Sequence, residues 1–345
     1  MDRTFVFEIL CALLVADGRQ ESLFGERTPA VGEAFARGLV GAGFPELWFE
    51  LPLAGEPWLD LHALVSHADA RAAADAAGAS GPARGPAFAG LGGAYDSALA
   101  WFAAQDARDV RQLALSFDTS AGDVDTPAVQ LLVSRPDPSV AAGFLEAAGH
   151  AVLAGAHRAF TDCMPDGWFA CYEGCFPRRR AAEKSAWVRV ECIVGDAAQS
   201  AYAAGEQALR DDLAGLGMAG LPDDAYATIS RLARSPFPLE LQFDVGEGGR
   251  PLPRLSASVR FQPKDWTDPA RRAEIARLAG WVEDMGLADA RWQRLSGCVF
   301  AKSLARGDEA CALSCLPAFV KLRWREGLPA DAKAYLLARI EAKGE

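Results

Sequence analysis

The sequence predicts an α+β fold: a ten-stranded antiparallel β-barrel built from five helix-flanked hairpins, with the helices outside. Three observations predict it. The stretch Leu239 to Phe261 reads as one tight hairpin, its pattern returns about five times with helices between the copies, and the polar faces of the copies are too charged for a dry core.

The hairpin is LELQFDVGEGGRPLPRLSASVRF. Leu239, Leu241 and Phe243 share one face of its first strand, and Glu240, Gln242 and Asp244 share the other. After the GEGG turn, Leu255, Ala257, Val259 and Phe261 alternate with Ser256, Ser258 and Arg260.

In chain order, residues 5–16 and 29–42 read as helices, and the first hairpin follows as LWFELPLAGEPWLDLHALV. There Trp48 and Glu50 alternate with Leu47, Phe49 and Leu51, and Asp60, His62 and Leu64 with Leu59, Leu61, Ala63 and Val65. A short Ala-rich helix, a Gly/Pro-rich loop over 78–93 and a helix from Tyr95 to Val110 lead to the second hairpin, 113–134. Ser116 and Asp118 share a face of its first strand, and Gln130, Leu132 and Ser134 a face of its second. Asp137-Pro138 opens a long helix whose apolar stripe runs from Val140 to Phe160. The third hairpin, 168–194, places Trp187, Arg189 and Glu191 opposite Val188, Val190 and Cys192, with a PRRR loop between its strands that reads as a solvated turn. Helices over 198–216 and 223–234 precede the fourth hairpin, and Thr267-Asp268-Pro269 starts another helix after it. The fifth hairpin is expected over 297–324, with Phe319, Lys321 and Arg323 opposite Val320, Leu322 and Trp324, and an amphipathic helix is expected after Pro329.

Ten strands twisting the same way can close and remove both edges. Helices must then cover the apolar face, so the polar faces line a central bore. That bore is expected to carry Glu50, Asp60, His62, Asp118, Gln130, Arg189, Glu191, Glu240, Gln242, Asp244, Arg260, Lys321 and Arg323, an arrangement that is costly unless water or a polar ligand fills it. All 345 residues are read as one such domain; two α+β units divided in the 78–93 loop or near Gly217 are the competing reading.

Half of the chain is hydrophobic and the formal net charge is -11, which argues against a nucleic-acid binder. The run Phe5 to Val15 is broken by Glu8 and reads as a helix rather than a signal peptide. No stretch reaches the roughly 18 apolar residues of a membrane span. A soluble, cytoplasmic monomer is expected. The eight cysteines lack the CxxC spacing of a zinc site and read as reduced core residues. HExxH, GxSxG and DDxxD are absent, GLGG at Gly90 has no preceding strand, and Asp123 and Asp125 read as turn acids.

Five successive helix-flanked hairpins around a polar bore resemble the ABBA, or PT-barrel, prenyltransferases, closest in form to the bacterial and cyanobactin-type enzymes. The likeness spans nearly the whole chain and rests on element order and strand pattern. It implies transfer of an isoprenyl group from an allylic diphosphate, of the dimethylallyl or geranyl class, to an aromatic small molecule or a peptide side chain. WFELPLAGEPWLDLHALV resembles the family's first hairpin, which gives Glu50 the acceptor-facing role of catalytic carboxylate. Basic positions on alternate strands hold the diphosphate in the family; the matching residues are His62, Gln130, Arg189, Arg260, Lys321 and Arg323. Trp48, Trp187, Phe319, Gln242 and Ser258 are then expected to shield the allylic cation and line the acceptor pocket.

The chemistry asks for these residue types. Several converging cations stabilise the departing diphosphate, aromatic faces steady the allylic cation, and a carboxylate takes or holds the acceptor's proton. The chain departs from the family where His62 and Gln130 replace its Arg and Lys, and its five tyrosines are few. No cofactor is obligatory in this reading, and a divalent ion such as Mg2+ on Asp118, Glu191 or Asp244 is the alternative that would compensate. Two bland readings stand beside it: Arg189, Glu191, Glu240 and Arg260 pair across the sheet, and the barrel is a catalytically weak binder of an amphipathic molecule or peptide.

Overall fold

The computed structural model describes residues 46–56, 58–68, 70–71, 92–117, 128–133, 137–175, 186–218, 221–306, 309–326 and 328–342. The helices expected over 5–16 and 29–42, most of the 78–93 loop, the PRRR loop and Asp118 lie outside them.

The alternating segments form strands β1 (Glu46–Pro52), β2 (Asp60–Val65), β3 (Val110–Phe117), β4 (Ala128–Val133), β5 (Trp168–Cys175), β6 (Trp187–Val194), β7 (Leu239–Gly246) and β8 (Pro251–Arg260), followed by β9 (Phe300–Arg306), β10 (Glu309–Arg325) and β11 (Leu328–Ala342). All the pairings are antiparallel, in the order β11-β1-β2-β3-β4-β5-β6-β7-β8-β10, and β10 pairs with β11 to close a ten-stranded barrel. β2 pairs with β3 across the 78–93 loop and β6 with β7 across Gly217.

Helices cover the apolar face. Among the described residues they are α1 (Gly92–Ala104), α2 (Pro138–Ala147), α3 (Ala151–Asp162), α4 (Asp196–Ala204), α5 (Glu206–Gly215), α6 (Asp223–Ala233), α7 (Pro263–Thr267), α8 (Pro269–Asp284) and α9 (Arg291–Leu295). Leu47, Phe49, Leu61, Leu115, Leu131, Val190, Leu241, Phe243 and Val259 of the strands share one core with Phe144, Leu153, Phe160, Leu209, Ile229 and Leu278 of the helices. Phe160 of α3 meets Phe243 of β7 with ring centroids 5.3 Å apart. Each fully buried side chain of this size contributes about 1.5–3 kcal/mol of apolar transfer. Among the described residues, one charged side chain interrupts the outer face: Glu173 of β5 is buried against α3, 3.3 Å from His157 Nε2.

Four expectations are corrected. The helix expected from Asp137 to Phe160 begins as foreseen, with Asp137 accepting from the Ser139 amide at 2.8 Å, but breaks at Gly149, whose φ of +77° lies in the left-handed region. The helix over 198–216 is two helices, because the chain turns extended at Gly205, the residue with the least preference for a helix after proline. The segment after Pro329 is strand β11, not a helix. Its Ala, Leu, Lys and Glu content favours a helix, but barrel closure needs a tenth strand and overrides propensity. Ala332, Ala334, Leu336 and Ala338 join the outer core, while Lys333 and Tyr335 reach the acid of Glu50 on the inner face. Consequently the fifth hairpin of the ring is β10–β11 rather than the stretch 297–324. β9 pairs alongside the first half of β10, outside the ten-stranded circuit.

Candidate functional site

Strand parity sends the polar residues inward, and the register stacks them in layers across β8, β10, β11 and β1. Ser256, Arg323 and Asp331 form one layer; Ser258, Lys321 and Lys333 the next; then Arg260, Phe319, Tyr335 and Glu50; then Leu337 and Trp48. Two lysines opposite one another repel unless anions meet them. Lys321 Nζ lies 2.9 Å from Glu191 Oε2, and Lys333 Nζ bonds Glu50 Oε1.

Glu50 is the hub of one half of the bore. Besides Lys333, it accepts from the Tyr335 hydroxyl at 2.6 Å and faces His62 Nε2 at 3.3 Å through Oε2. Burial pushes this carboxyl upward, but Lys333 and His62 outweigh it and hold the acid well below the usual carboxylate range. Burial in turn lowers the Lys333 amine to about 8, against the pull of Glu50. On its other edge, His62 Nδ1 lies 2.5 Å from Ser116 Oγ and 3.2 Å from Gln130 Oε1.

The other half holds most of the cations. Glu191 binds Lys321 and accepts from Gln242 Nε2 at 2.5 Å; burial opposes its charge, yet Lys321 and the neighbouring Glu240 carboxyl bring it down to about 2. Glu240, 1 % exposed, is driven the opposite way by burial and by the Glu191 charge. Arg260 Nε lies 2.8 Å from Glu240 Oε1. Arg189 grips Asp244 with both arms of its guanidinium, at 2.7 and 3.0 Å, and Arg254 Nε reaches the same carboxylate at 2.7 Å. Arg323 binds Asp331 at 2.6 and 2.9 Å. The cross-strand pairing that competed with the ligand reading therefore forms for Arg189 and for Glu240 with Arg260.

Trp48, Phe319 and Tyr335 make an aromatic wall, with centroid separations of 5.3 Å and 6.0 Å on either side of Phe319. The Arg260 guanidinium lies 4.7 Å from the Phe319 ring. Trp187 does not join this wall. It is buried with Ala128 and Leu252, beneath Arg189 and Arg254 at 5.5 Å and 4.6 Å. Ser258 faces both Glu240 and Lys321 in the register and is buried.

No family model and no curated protein matches this chain. Solved structures do. 5-Dimethylallyltryptophan synthase from Streptomyces coelicolor superposes with a TM-score of 0.56 at 15% identity, covering 97% of this chain and 96% of that one. 6-Dimethylallyltryptophan synthase from Micromonospora olivasterospora, in complex with DMASPP and Trp, gives 0.51 at 17% identity and 97% of both chains. The prenyltransferase PriB, in a ternary complex with L-tryptophan and dimethylallyl thiolodiphosphate, gives 0.53 at 14% identity, covering 97% and 96%. The fold is the ABBA, or PT-barrel, fold.

Four residues inside this PT barrel were not foreseen: Lys333, Tyr335, Asp331 and Arg254. The first three sit on the strand read as a helix. Arg254 was open to discovery, since it continues the alternation of Arg260, Ser258 and Ser256 by one more step. Trp58 adds a ring 4.3 Å from Lys333 Nζ. Among the described residues no three His, Cys, Asp or Glu side chains converge as a metal site, and Glu191 and Asp244, two of the acids considered for a divalent ion, are engaged by Lys321 and by Arg189 and Arg254. Burial raises the thiols of Cys171, Cys192 and Cys315 well above their ordinary value and that of Cys298 to about 12, which leaves them unreactive. No described helix is long and apolar enough to cross a membrane.

Proposed function

We propose that the chain is a prenyltransferase that moves an isoprenyl group from an allylic diphosphate, of dimethylallyl or geranyl size, to an aromatic or peptide side-chain acceptor inside the barrel. The observation that carries this reading is the enclosure of Arg189, Arg254, Arg260, Lys321 and Arg323 in the same bore as the Trp48, Phe319 and Tyr335 wall. The cations suit a leaving diphosphate and the wall suits the allylic fragment. Dimethylallyl donors and tryptophan in the neighbours' complexes support the same division.

In this reading the C1–O bond of the donor breaks with its electron pair passing to the diphosphate, and C1 bonds to the acceptor, which loses a proton. Removing one well-placed electrostatic donor from such a site slows the step by about 10²–10³-fold. Asp244, Glu240, Glu191 and Asp331 must release or share their cations as the donor enters, so binding is an exchange of ion pairs.

That exchange also favours a second reading. A bore whose cations are all answered by acids is suited to an amphipathic ligand without a diphosphate, bound and not transformed. Incubating the purified protein with dimethylallyl or geranyl diphosphate and tryptophan, tyrosine or aromatic peptides, and measuring diphosphate release, separates the two. Release that depends on the acceptor supports transfer; its absence with every pair leaves the binding module.

A further inference from the structure

His62 stands where the resemblance places a diphosphate ligand, but its surroundings do not suit an anion. Nε2 faces the ionised Glu50, which would repel a phosphate at the same edge. Nδ1 faces the Ser116 hydroxyl at 2.5 Å and the Gln130 amide. Glu50 is itself a poor base, because Lys333 holds one oxygen while Tyr335 and His62 hold the other. The acid fixes the ring instead: an Nε2–H donated to Glu50 leaves Nδ1 as the accepting nitrogen, toward Ser116. Turning the Gln130 amide by half a turn places its NH2 at that edge without changing its shape. A hydroxyl, an imidazole and a carboxylate in series form an arrangement that draws a proton away from whatever touches the hydroxyl.

Resting on the prenyl-transfer reading, we propose that His62 is the proton acceptor of the transfer step, reached through the Ser116 hydroxyl and oriented by Glu50, and that it does not hold the donor's diphosphate. As the donor's C1–O bond breaks and C1 bonds to the acceptor, the acceptor's proton passes to Ser116 Oγ while the hydroxyl's own proton passes to His62 Nδ1. The electron pair of the broken acceptor bond stays on the acceptor. The resulting imidazolium is paired with Glu50 and returns its proton to solvent when the products leave. Glu50 in this scheme is a positioning residue that acts through the ring.

The test uses the full chain with His62→Arg, His62→Gln and Ser116→Ala. Affinity for dimethylallyl thiolodiphosphate, a donor analogue that ionises slowly, is measured by calorimetry, and the single-turnover rate of transfer by rapid quench. Loss of a general base slows the step by about 10²–10⁴-fold. The expected result is that loss for both His62 variants and a smaller one for Ser116→Ala, with analogue affinity changed by less than about twofold. His62→Arg is the sharper variant, since it supplies a cation: a diphosphate ligand would be improved by it and a base destroyed. Should it fail to fold, His62→Gln carries the same comparison. A His62 variant that transfers at the parent rate, or an analogue affinity weakened about tenfold by His62→Gln, overturns the inference while the prenyl-transfer reading stands. A parent protein that releases no diphosphate overturns both.

Discussion

Replacing Lys333 by methionine removes the ammonium from Glu50 while keeping most of the stem. Two opposing effects set the outcome. Burial holds the Lys333 amine at about 8 instead of 10.5 even against the pull of Glu50, so the variant recovers the desolvation of a buried ammonium. Leaving Glu50 without its ammonium costs about 3–5 kcal/mol, eased by the Tyr335 and His62 contacts that remain. The two effects oppose one another, so the change near pH 7.5 is smaller than either alone, about 2 kcal/mol at most. The dependence on pH is the sharper signal. In the parent the folded Glu50 is held below its ordinary 4.5, so its contribution is complete above that value and lost as pH falls through the folded one. In the variant burial dominates and places the folded acid above 4.5, so the penalty is complete at neutral pH and relieved on acidification. Lys333 itself adds no slope below about 8, where it is protonated in both states. Urea unfolding of both proteins at about pH 7.5 and about pH 5 should show the deficit of the variant shrinking by about 1 kcal/mol or more at the lower pH. A deficit that is equal at the two values, or larger in acid, refutes the placement of an ionised Glu50 against Lys333.

Arg260→Ala should weaken the thiolodiphosphate analogue about tenfold or more, the loss of one charge-assisted contact, and an unaltered affinity in titration calorimetry removes Arg260 from the donor site. Asp244→Asn frees Arg189 and Arg254 from the carboxylate they share, and should tighten the analogue several-fold with a steeper salt dependence; weaker binding would show that Asp244 positions the arginines instead of competing for them. Gly249→Ala should cost about 1–3 kcal/mol, since φ there is +72° and the new methyl would lie 2.8 Å from the Ala159 methyl of α3; an unchanged melting temperature contradicts the seating of α3 on the β7–β8 turn.

Much of the barrel was legible because period-two alternation needs no knowledge of neighbours. Leu239 to Asp244 states which side is greasy, and β7 and β8 occur where that pattern stands. The last strand was not legible for a physical reason. Asp331 to Ile340 alternates outward Ala332, Ala334, Leu336 and Ala338 with inward Asp331, Lys333, Tyr335 and Leu337, but it is composed of good helix formers, and only the vacancy between β10 and β1 decides between the two. The break at Gly149 stands in the sequence as a glycine, but apolar residues continue at helical spacing on both sides and mask it. Ion pairing was half legible. Arg189 and Asp244 are directly opposed in the register, whereas Lys321 reaches Glu191 past β7 and β8, which no local pattern reveals.

The seam of the barrel joins Glu46–Pro52 to Lys333–Arg339. During synthesis on the ribosome, β1 therefore waits with an unmatched row of amides and carbonyls until nearly three hundred further residues have been added. Nascent chains halted before Leu328 would present two naked strand borders to one another, and such intermediates are the ones that pair between molecules. Yield in a cell should consequently respond to elongation speed and chaperone supply more than to the strength of any contact in the finished wall.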